Sequence, residues 1–281
     1  MGVQAIPVLI QAFEKVDSPW DRFWQWAYPM LPAVVRARVS PPVPSSITRG
    51  SAFMVFFENP KLKKNAYPQL LRHLENKSKG EQAQSYVLGL LLLLVSQDST
   101  DAVAVVDPYL QANDPNVRRV AAMVLGQIGP SAKAAIPGLT VALTDADVRV
   151  RLAAASALWR IDYQTNVVAA VFEKEVASMD AGQLLVWAAR QLSMVSPESP
   201  ALLPAYIKAL QAPKTSYEQH DFRSDFVARL ANYGRTAEAA VPILVRIIRE
   251  EPNLRSTALQ TLKQIRPDEA KVWEAASPSA Q

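Results

Sequence analysis

One short phrase recurs along this chain and constrains its fold more than any other feature. It places two small or apolar residues before a proline, an apolar residue two positions after it and another six positions after it. The phrase begins at residues 5, 66, 135, 202 and 240. Proline suits the first turn of a helix, and apolar residues four apart share one helix face. A phrase that returns along a chain predicts one helical unit stacked on copies of itself.

A second phrase precedes the clearest copies of the first. Its small and apolar residues at 117–128 match those at 150–161 after a shift of 33 positions. Related patterns follow at 188–195, 226–233 and 258–265, with weaker ones at 88–95 and 51–55. No segment alternates between apolar and polar residues as a strand does. The predicted unit is therefore a helix, a tight turn and a second helix.

Helix boundaries can also be predicted from this pattern. Asp114 and Asp145 are expected to be N-caps of first helices, because a carboxylate accepts hydrogen bonds from the first free backbone N–H groups. Gly129 and Gly234 stand where first helices are expected to end, since glycine tolerates the backbone conformation that closes a helix.

Together the two phrases resemble the short bacterial HEAT repeat, the kind also found in phycobilisome lyases. The resemblance is strongest over residues 113–177 and continues over 183–268. It implies an all-α fold, namely a right-handed α-solenoid of about seven HEAT-like helical hairpins of the armadillo type. It also implies that Arg118 and Arg151 are structural arginines of the repeat. Trp159 and Asp162 depart from the pattern by replacing glycines, which predicts irregular stacking there.

The domain organisation expected from the repeats is a single solenoid over residues 1–272, with a flexible tail at 273–281. An aromatic- and proline-rich segment at 18–46 interrupts the pattern. The first phrase starts at residue 5 with no first helix before it, and an unpartnered helix leaves its apolar face in water. We therefore expect either that sequence is missing upstream or that the segment at 18–46 serves as a lid.

The aromatic segment offers one candidate binding surface. Trp26 and Tyr28 fall off the helical stripe formed by the neighbouring aromatics, and Arg36 and Arg38 follow them. Aromatic and arginine side chains together can stack on bases, sugars or a proline-rich peptide. The competing interpretation, favoured by the three- and four-residue spacing of the other aromatics, is that the segment packs inward as a cap.

The second helices offer another candidate surface. Lys208 and Arg246 occur on second helices, which line the concave side of a HEAT-like stack, so the two cations are predicted to share one groove. Such a groove can bind a partner protein or contact phosphates of nucleic acid. The competing interpretation is a solvated face of mixed charge, because acidic residues such as Glu238 and Glu250 interrupt the positive run.

Composition excludes several chemistries. The chain of 281 residues has no cysteine, two histidines and a formal net charge of +4. Thiolate sites and disulfides are therefore impossible, and His73 and His220 lack the pairing with glutamate that HEAT-like hydroxylases use for iron. The longest apolar run, at 86–95, is about half a membrane span. The compartment cannot be read, and a cytoplasmic location is the default unless a signal peptide precedes this sequence.

No nucleophile elbow, phosphate loop or other catalytic motif occurs, so no cofactor and no catalytic residue is predicted. The favoured function is a non-enzymatic scaffold that binds a partner protein along its curved surface. The alternatives are a lyase-like or DNA-glycosylase-like enzyme that uses the concave groove, or a protein that binds nucleic acid without chemistry.

Overall fold

The computed structural model describes residues 60–75, 81–211 and 222–275. These ranges are helical and contain no strand. The chain divides into two compact units, residues 1–164 and 165–281. We call them unit 1 and unit 2 and describe each by itself.

The described part of unit 1, residues 60–75 and 81–164, consists of helical hairpins joined by short loops and 3₁₀ turns. Its α-helices are α1 (Pro60–Glu75), α2 (Glu81–Leu92), α3 (Thr100–Val106), α4 (Pro115–Ile128), α5 (Ile136–Ala142) and α6 (Val148–Asp162). The 3₁₀ turns Asp107–Gln111 and Gly129–Ala135 follow α3 and α4. The first helices of the hairpins, α2, α4 and α6, contact one another in sequence order, and α1, α3 and α5 form the second layer. We call these two sets A helices and B helices.

The A helices of unit 1 pack closely because small residues face each other. Ala121, Ala122 and Ala154 are fully buried. A Cβ atom added to Gly126 of α4 would lie only 2.9 Å from the Cα atom of Ala157 in α6. The absence of a side chain at Gly126 therefore sets the separation of α4 and α6.

The predicted ends of the A helices are partly correct. Asp114 caps α4 by accepting a hydrogen bond from the backbone N–H of Asn116 at 2.7 Å, and Gly129 ends α4 with a φ of 71°. The prediction for Asp145 is wrong, because Asp147 caps α6 and accepts from the N–H of Arg149 at 2.8 Å. Asp145 instead binds an arginine, as described below.

Two further departures from the expected pattern concern a proline and a missing glycine. Pro68 lies inside α1 rather than in its first turn, so the helix passes the proline with the loss of one backbone hydrogen bond. Asp162 is the last residue of α6, and Tyr163 after it takes the left-handed conformation with a φ of 50°. The side chain of Tyr163 is exposed and its ring packs edge-on against Trp159, with centroids 6.2 Å apart.

Unit 2 repeats the arrangement of helical hairpins. Its helices are α7 (Thr165–Ser178), α8 (Gln183–Val195), α9 (Leu202–Gln211), α10 (Phe222–Leu230), α11 (Val241–Glu250), α12 (Arg255–Ile265) and α13 (Pro267–Ala275), with a 3₁₀ stretch at Ala231–Ala240. The A helices are α8, α10 and α12, and the others are B helices. Consecutive B helices α7, α9 and α11 contact one another. The core includes Tyr206 and Phe226, whose ring centroids are 4.6 Å apart.

The all-α architecture of HEAT-like hairpins is confirmed over the described ranges. Pro137 and Pro242 stand in the first turns of α5 and α11, as predicted. Gly234 has a φ of 50° and lies within the 3₁₀ stretch after α10, four residues beyond the end of that helix. A single solenoid over residues 1–272 stays a prediction.

Candidate interaction surfaces

An arginine clamp joins successive repeats in unit 1. The Nε and Nη2 atoms of Arg118 donate to the two carboxylate oxygens of Asp145 at 2.7 and 2.8 Å. Its Nη1 atom donates to the backbone carbonyls of Ala112 and Asn113, both at 2.8 Å. One side chain of α4 thereby holds both the loop before its own helix and the loop before α6. This two-point contact with a carboxylate is the strongest geometry that arginine offers.

The loop before α6 serves two arginines at once. While the side chain of Asp145 accepts from Arg118, its backbone carbonyl accepts from Arg151 of α6 at 2.7 Å. The hydrogen bonds from Arg118 lower the pKa of the Asp145 carboxyl group. This carboxylate is therefore charged at neutral pH and stabilises the junction between the two repeats. Arg118 makes the contact between neighbouring repeats that the HEAT resemblance implies, and Arg151 binds the loop before its own helix.

Unit 2 contains an equivalent clamp that the sequence analysis missed. Arg223 of α10 donates to the Oε1 atom of Glu251 at 2.7 Å and to the carbonyl of Leu210 at 3.1 Å. Both charged residues are only 8% exposed. A signal was available, because Arg223 precedes Phe226 by the same three positions that separate Arg118 from Ala121.

Lys208 makes one of the contacts that a clamp arginine would make in a hairpin that has no such arginine. The A helix α8 has buried Leu185 at the position of that arginine. The carbonyl six residues earlier, that of Met179, would otherwise accept from it. Lys208 of α9 donates its Nζ proton to this carbonyl instead. A lysine on the following B helix thus takes over one hydrogen bond of the missing arginine.

Arg246 makes the corresponding contact on α11. Its Nη2 atom donates to the carbonyl of Leu210 at 3.0 Å, the same carbonyl that Arg223 contacts. Lys208 and Arg246 each stand four residues after the proline of their B helix. Each therefore reaches back to the preceding B helix or the loop after it, where carbonyls carry the negative end of the helix dipole.

Beside these two cations, unit 2 presents a row of aliphatic side chains on its B helices. Leu203 and Ile207 on α9, and Val241 and Val245 on α11, are all partly exposed. In each helix, the first of the two residues comes one position before the proline and the second comes three positions after it. The two residues are therefore four positions apart and lie on one helix face. We call the surface formed by these four side chains, Lys208 and Arg246 the B face of unit 2.

The other predicted site residues lie outside the described ranges. These residues are Trp26, Tyr28, Arg36 and Arg38 of the aromatic segment. Among the described residues, no group of histidine and carboxylate side chains is arranged to hold a metal ion. The helices of the described ranges include none with both the length and the apolarity to cross a bilayer.

The hairpin layers and their arginine clamps define a protein of tandem helical repeats. The family profile described as HEAT repeats matches residues 67–159 and, in an overlapping register, residues 105–193. Residues 67–193 of the chain are HEAT repeats. HEAT repeats typically form helical scaffolds for protein interaction and are generally not enzymes. No curated protein matches the chain significantly.

Proposed function

We propose that this chain is a non-enzymatic scaffold and that the B face of unit 2 binds a segment of a partner protein. The observation that supports the proposal is the row of four partly exposed aliphatic side chains with two cations beside it. A few well-packed residues near the centre of an interface contribute most of the binding energy, while charged side chains around them select the partner. The expected partner segment is amphipathic, with an apolar side and an acidic edge.

The two cations retain hydrogen-bonding capacity for such a partner. Lys208 has three N–H donors and Arg246 has five, and each uses one on a backbone carbonyl. A partner carboxylate could therefore bind to either side chain without breaking these internal contacts. Because the internal hydrogen bonds hold the side chains in place, less conformational entropy is lost on binding.

The same surface supports a protein partner better than nucleic acid. A phosphate backbone is bound by rows of cations, whereas the B face has two partly exposed aliphatic side chains on each of α9 and α11. Acidic Glu250 follows the last cation of α11, Arg249, which packs over the ring of Trp273 at 4.6 Å. The B face is therefore mixed in character, as protein-binding surfaces commonly are.

The proposal can be tested by selecting peptides from a random display library with the full chain as bait. Affinities of the selected peptides would then be measured for the wild type and for Ile207→Asp. We expect the substitution to weaken binding about tenfold or more, because it removes an apolar contact and repels an acidic edge. Ile207→Thr serves as a milder variant if Ile207→Asp lowers the thermal unfolding midpoint.

A matched control is available on an A helix of the same unit. Met194 of α8 is 52% exposed, so Met194→Asp makes the same chemical change away from the B face. Selected peptides that bind both variants and the wild type equally would contradict the proposal. A ligand preference for duplex DNA, with affinity that falls steeply as salt rises, would favour the nucleic-acid alternative.

A further inference from the structure

We propose that unit 1 has a binding surface on the exposed side of α4 and α6 that takes an extended acidic segment of a partner protein. The surface consists of Arg119 and Met123 on α4 and of Arg149 and Arg160 on α6. It lies on A helices, so it is separate from the B face of unit 2 and does not depend on it.

Arg119 is the residue whose surroundings most favour an anionic ligand. Its side chain is half-buried, and its Nη1 atom contacts only the Sδ atom of Met123, at 3.2 Å. Its Nε atom is buried and makes no hydrogen bond, and no carboxylate within the described ranges pairs with it. Burial, followed by the positive charge of Arg149, lowers the pKa of Arg119, and the negative charge of Asp147 opposes this shift only in part. A partly buried cation beside another cation is unfavourable unless an anion joins them.

The surrounding groups leave the surface positive. Arg149 pairs with Asp147 at 2.7 Å and is about half exposed, while Arg160 donates to the neutral side-chain oxygen of Gln127 at 3.1 Å. Asp147 and, more remotely, Asp114 are the carboxylates that act on Arg149. Of these three arginines, Arg149 is the one that forms a close carboxylate pair among the described residues, and this excess of positive charge favours an acidic ligand.

The spacing of these groups matches an extended peptide. Gln127, which binds Arg160, lies eight residues after Arg119, and eight residues of helix span about 12 Å. Met123 lies midway and is 39% exposed. In an extended chain, side chains at positions i, i+2 and i+4 point to one side and span about 13 Å. A segment with acidic, apolar and acidic residues at these positions would contact Arg119, Met123 and Arg160 in turn.

The proposal can be tested with a short fluorescent peptide that contains Glu-Ser-Leu-Ser-Glu. Fluorescence anisotropy at low salt would measure its binding to the full chain. We expect Arg119→Gln and Arg160→Gln each to weaken binding about tenfold, because each removes a charge-assisted hydrogen bond. Arg229→Gln is the matched control, since Arg229 pairs with Asp225 in unit 2 and its loss should leave the affinity unchanged.

Two peptide controls test the register. Replacing both glutamates by glutamine should abolish binding. Moving the second glutamate by one position turns its side chain away and should weaken binding about tenfold. Equal binding of the shifted peptide, equal loss in Arg229→Gln, or binding of single-stranded DNA in place of the acidic peptide would overturn the proposal.

A stability measurement separates a ligand-binding role from a structural one. Arg119→Met keeps an unbranched apolar stem and removes the charge of the side chain. If the role of Arg119 is to bind an external anion, the thermal unfolding midpoint of this variant should stay the same or rise. A lowered midpoint would show that Arg119 stabilises the fold, and it would overturn the proposal even if binding were lost.

Discussion

In both units neighbouring A helices pack closely, but different residues stand at the contact position of the repeat. In unit 1, Ala157 of α6 packs against Gly126 of α4 with no room for a further carbon atom. In unit 2, the residue equivalent to Ala157 is Thr261, and its hydroxyl donates to the carbonyl of Val227 at 2.9 Å. Close contact between A helices can therefore come either from small side chains or from one buried hydroxyl group.

The clamps differ in depth as well. Arg118 and Asp145 remain partly exposed, whereas Arg223 and Glu251 are buried. A charge that loses its partner in a buried place cannot recover the lost interaction from water. The clamp therefore has the same position in the repeat of both units, whereas its chemistry, and hence its sensitivity to substitution, differs between them.

The largest effect is expected for Arg223→Met in unit 2. The variant leaves Glu251 buried without its arginine, which should lower the free energy of unfolding by about 3–5 kcal/mol. Hydrogen exchange of peptides from α10 and α12 would localise the loss to unit 2. Adding Glu251→Gln should recover much of the stability, and an equally unstable double variant would count against the buried clamp.

A smaller, pH-dependent effect is expected for Arg118→Met in unit 1. Arg118 lowers the pKa of Asp145 below its unfolded value of about 3.9, so its stabilisation is complete above that pH and disappears as pH falls through the folded value. We expect a loss of about 2 kcal/mol at neutral pH that shrinks on acidification. Denaturant unfolding at neutral pH and near pH 3 would measure both, and a pH-independent difference would argue against the charge pair.

The packing comparison can be tested with two glycines of unit 1. Gly126→Ala places a methyl group against the backbone of α6, and we expect it to lower the free energy of unfolding by about 1–3 kcal/mol. Gly89→Ala on α2 meets no atom within 4 Å and should raise it by about 0.5–1 kcal/mol through helix propensity. The same sign for both substitutions would show that A-helix separation is not set by Gly126.

The smallest loss of stability is expected for Thr261→Val in unit 2. The substitution keeps the shape of the side chain and removes one hydroxyl hydrogen bond, which should cost about 1 kcal/mol. Chemical denaturation would measure the change. The converse substitution, Ala157→Thr in unit 1, should lower the free energy of unfolding more than Thr261→Val does, because the close packing against Gly126 leaves no space. A smaller loss would contradict the proposed difference between the two units.

The repeat positions in the sequence were enough to predict the helices and their layers. Proline at the start of α5 and α11, and paired small residues such as Ala121 and Ala122, act through local geometry and burial. Such features repeat whenever the unit repeats. The passage of α1 through Pro68 was not predictable, because the loss of one hydrogen bond is compensated by burial of Leu70 and Leu74.

The clamps and the candidate surfaces were harder to predict. Two carboxylates, Asp145 and Asp147, stand two residues apart before α6, and only the folded loop shows which one caps the helix. The acceptor of Arg223 is thirteen residues before it, whereas that of Arg118 is six before it, so loop length hides the equivalence. Nothing in the sequence around Lys208 and Arg246 indicates which backbone carbonyls they contact.

The clamp has a consequence for how arrays of this kind change in length during evolution. Its arginine and its acid belong to successive repeats, as Arg118 in α4 and Asp145 before α6 show. A duplicated repeat inserted in register brings an acid for the arginine before it and an arginine for the acid after it, so no charge is left alone. A repeat whose A helix lacks the arginine, as α8 does with Leu185, becomes tolerable once its own B helix supplies a substitute such as Lys208.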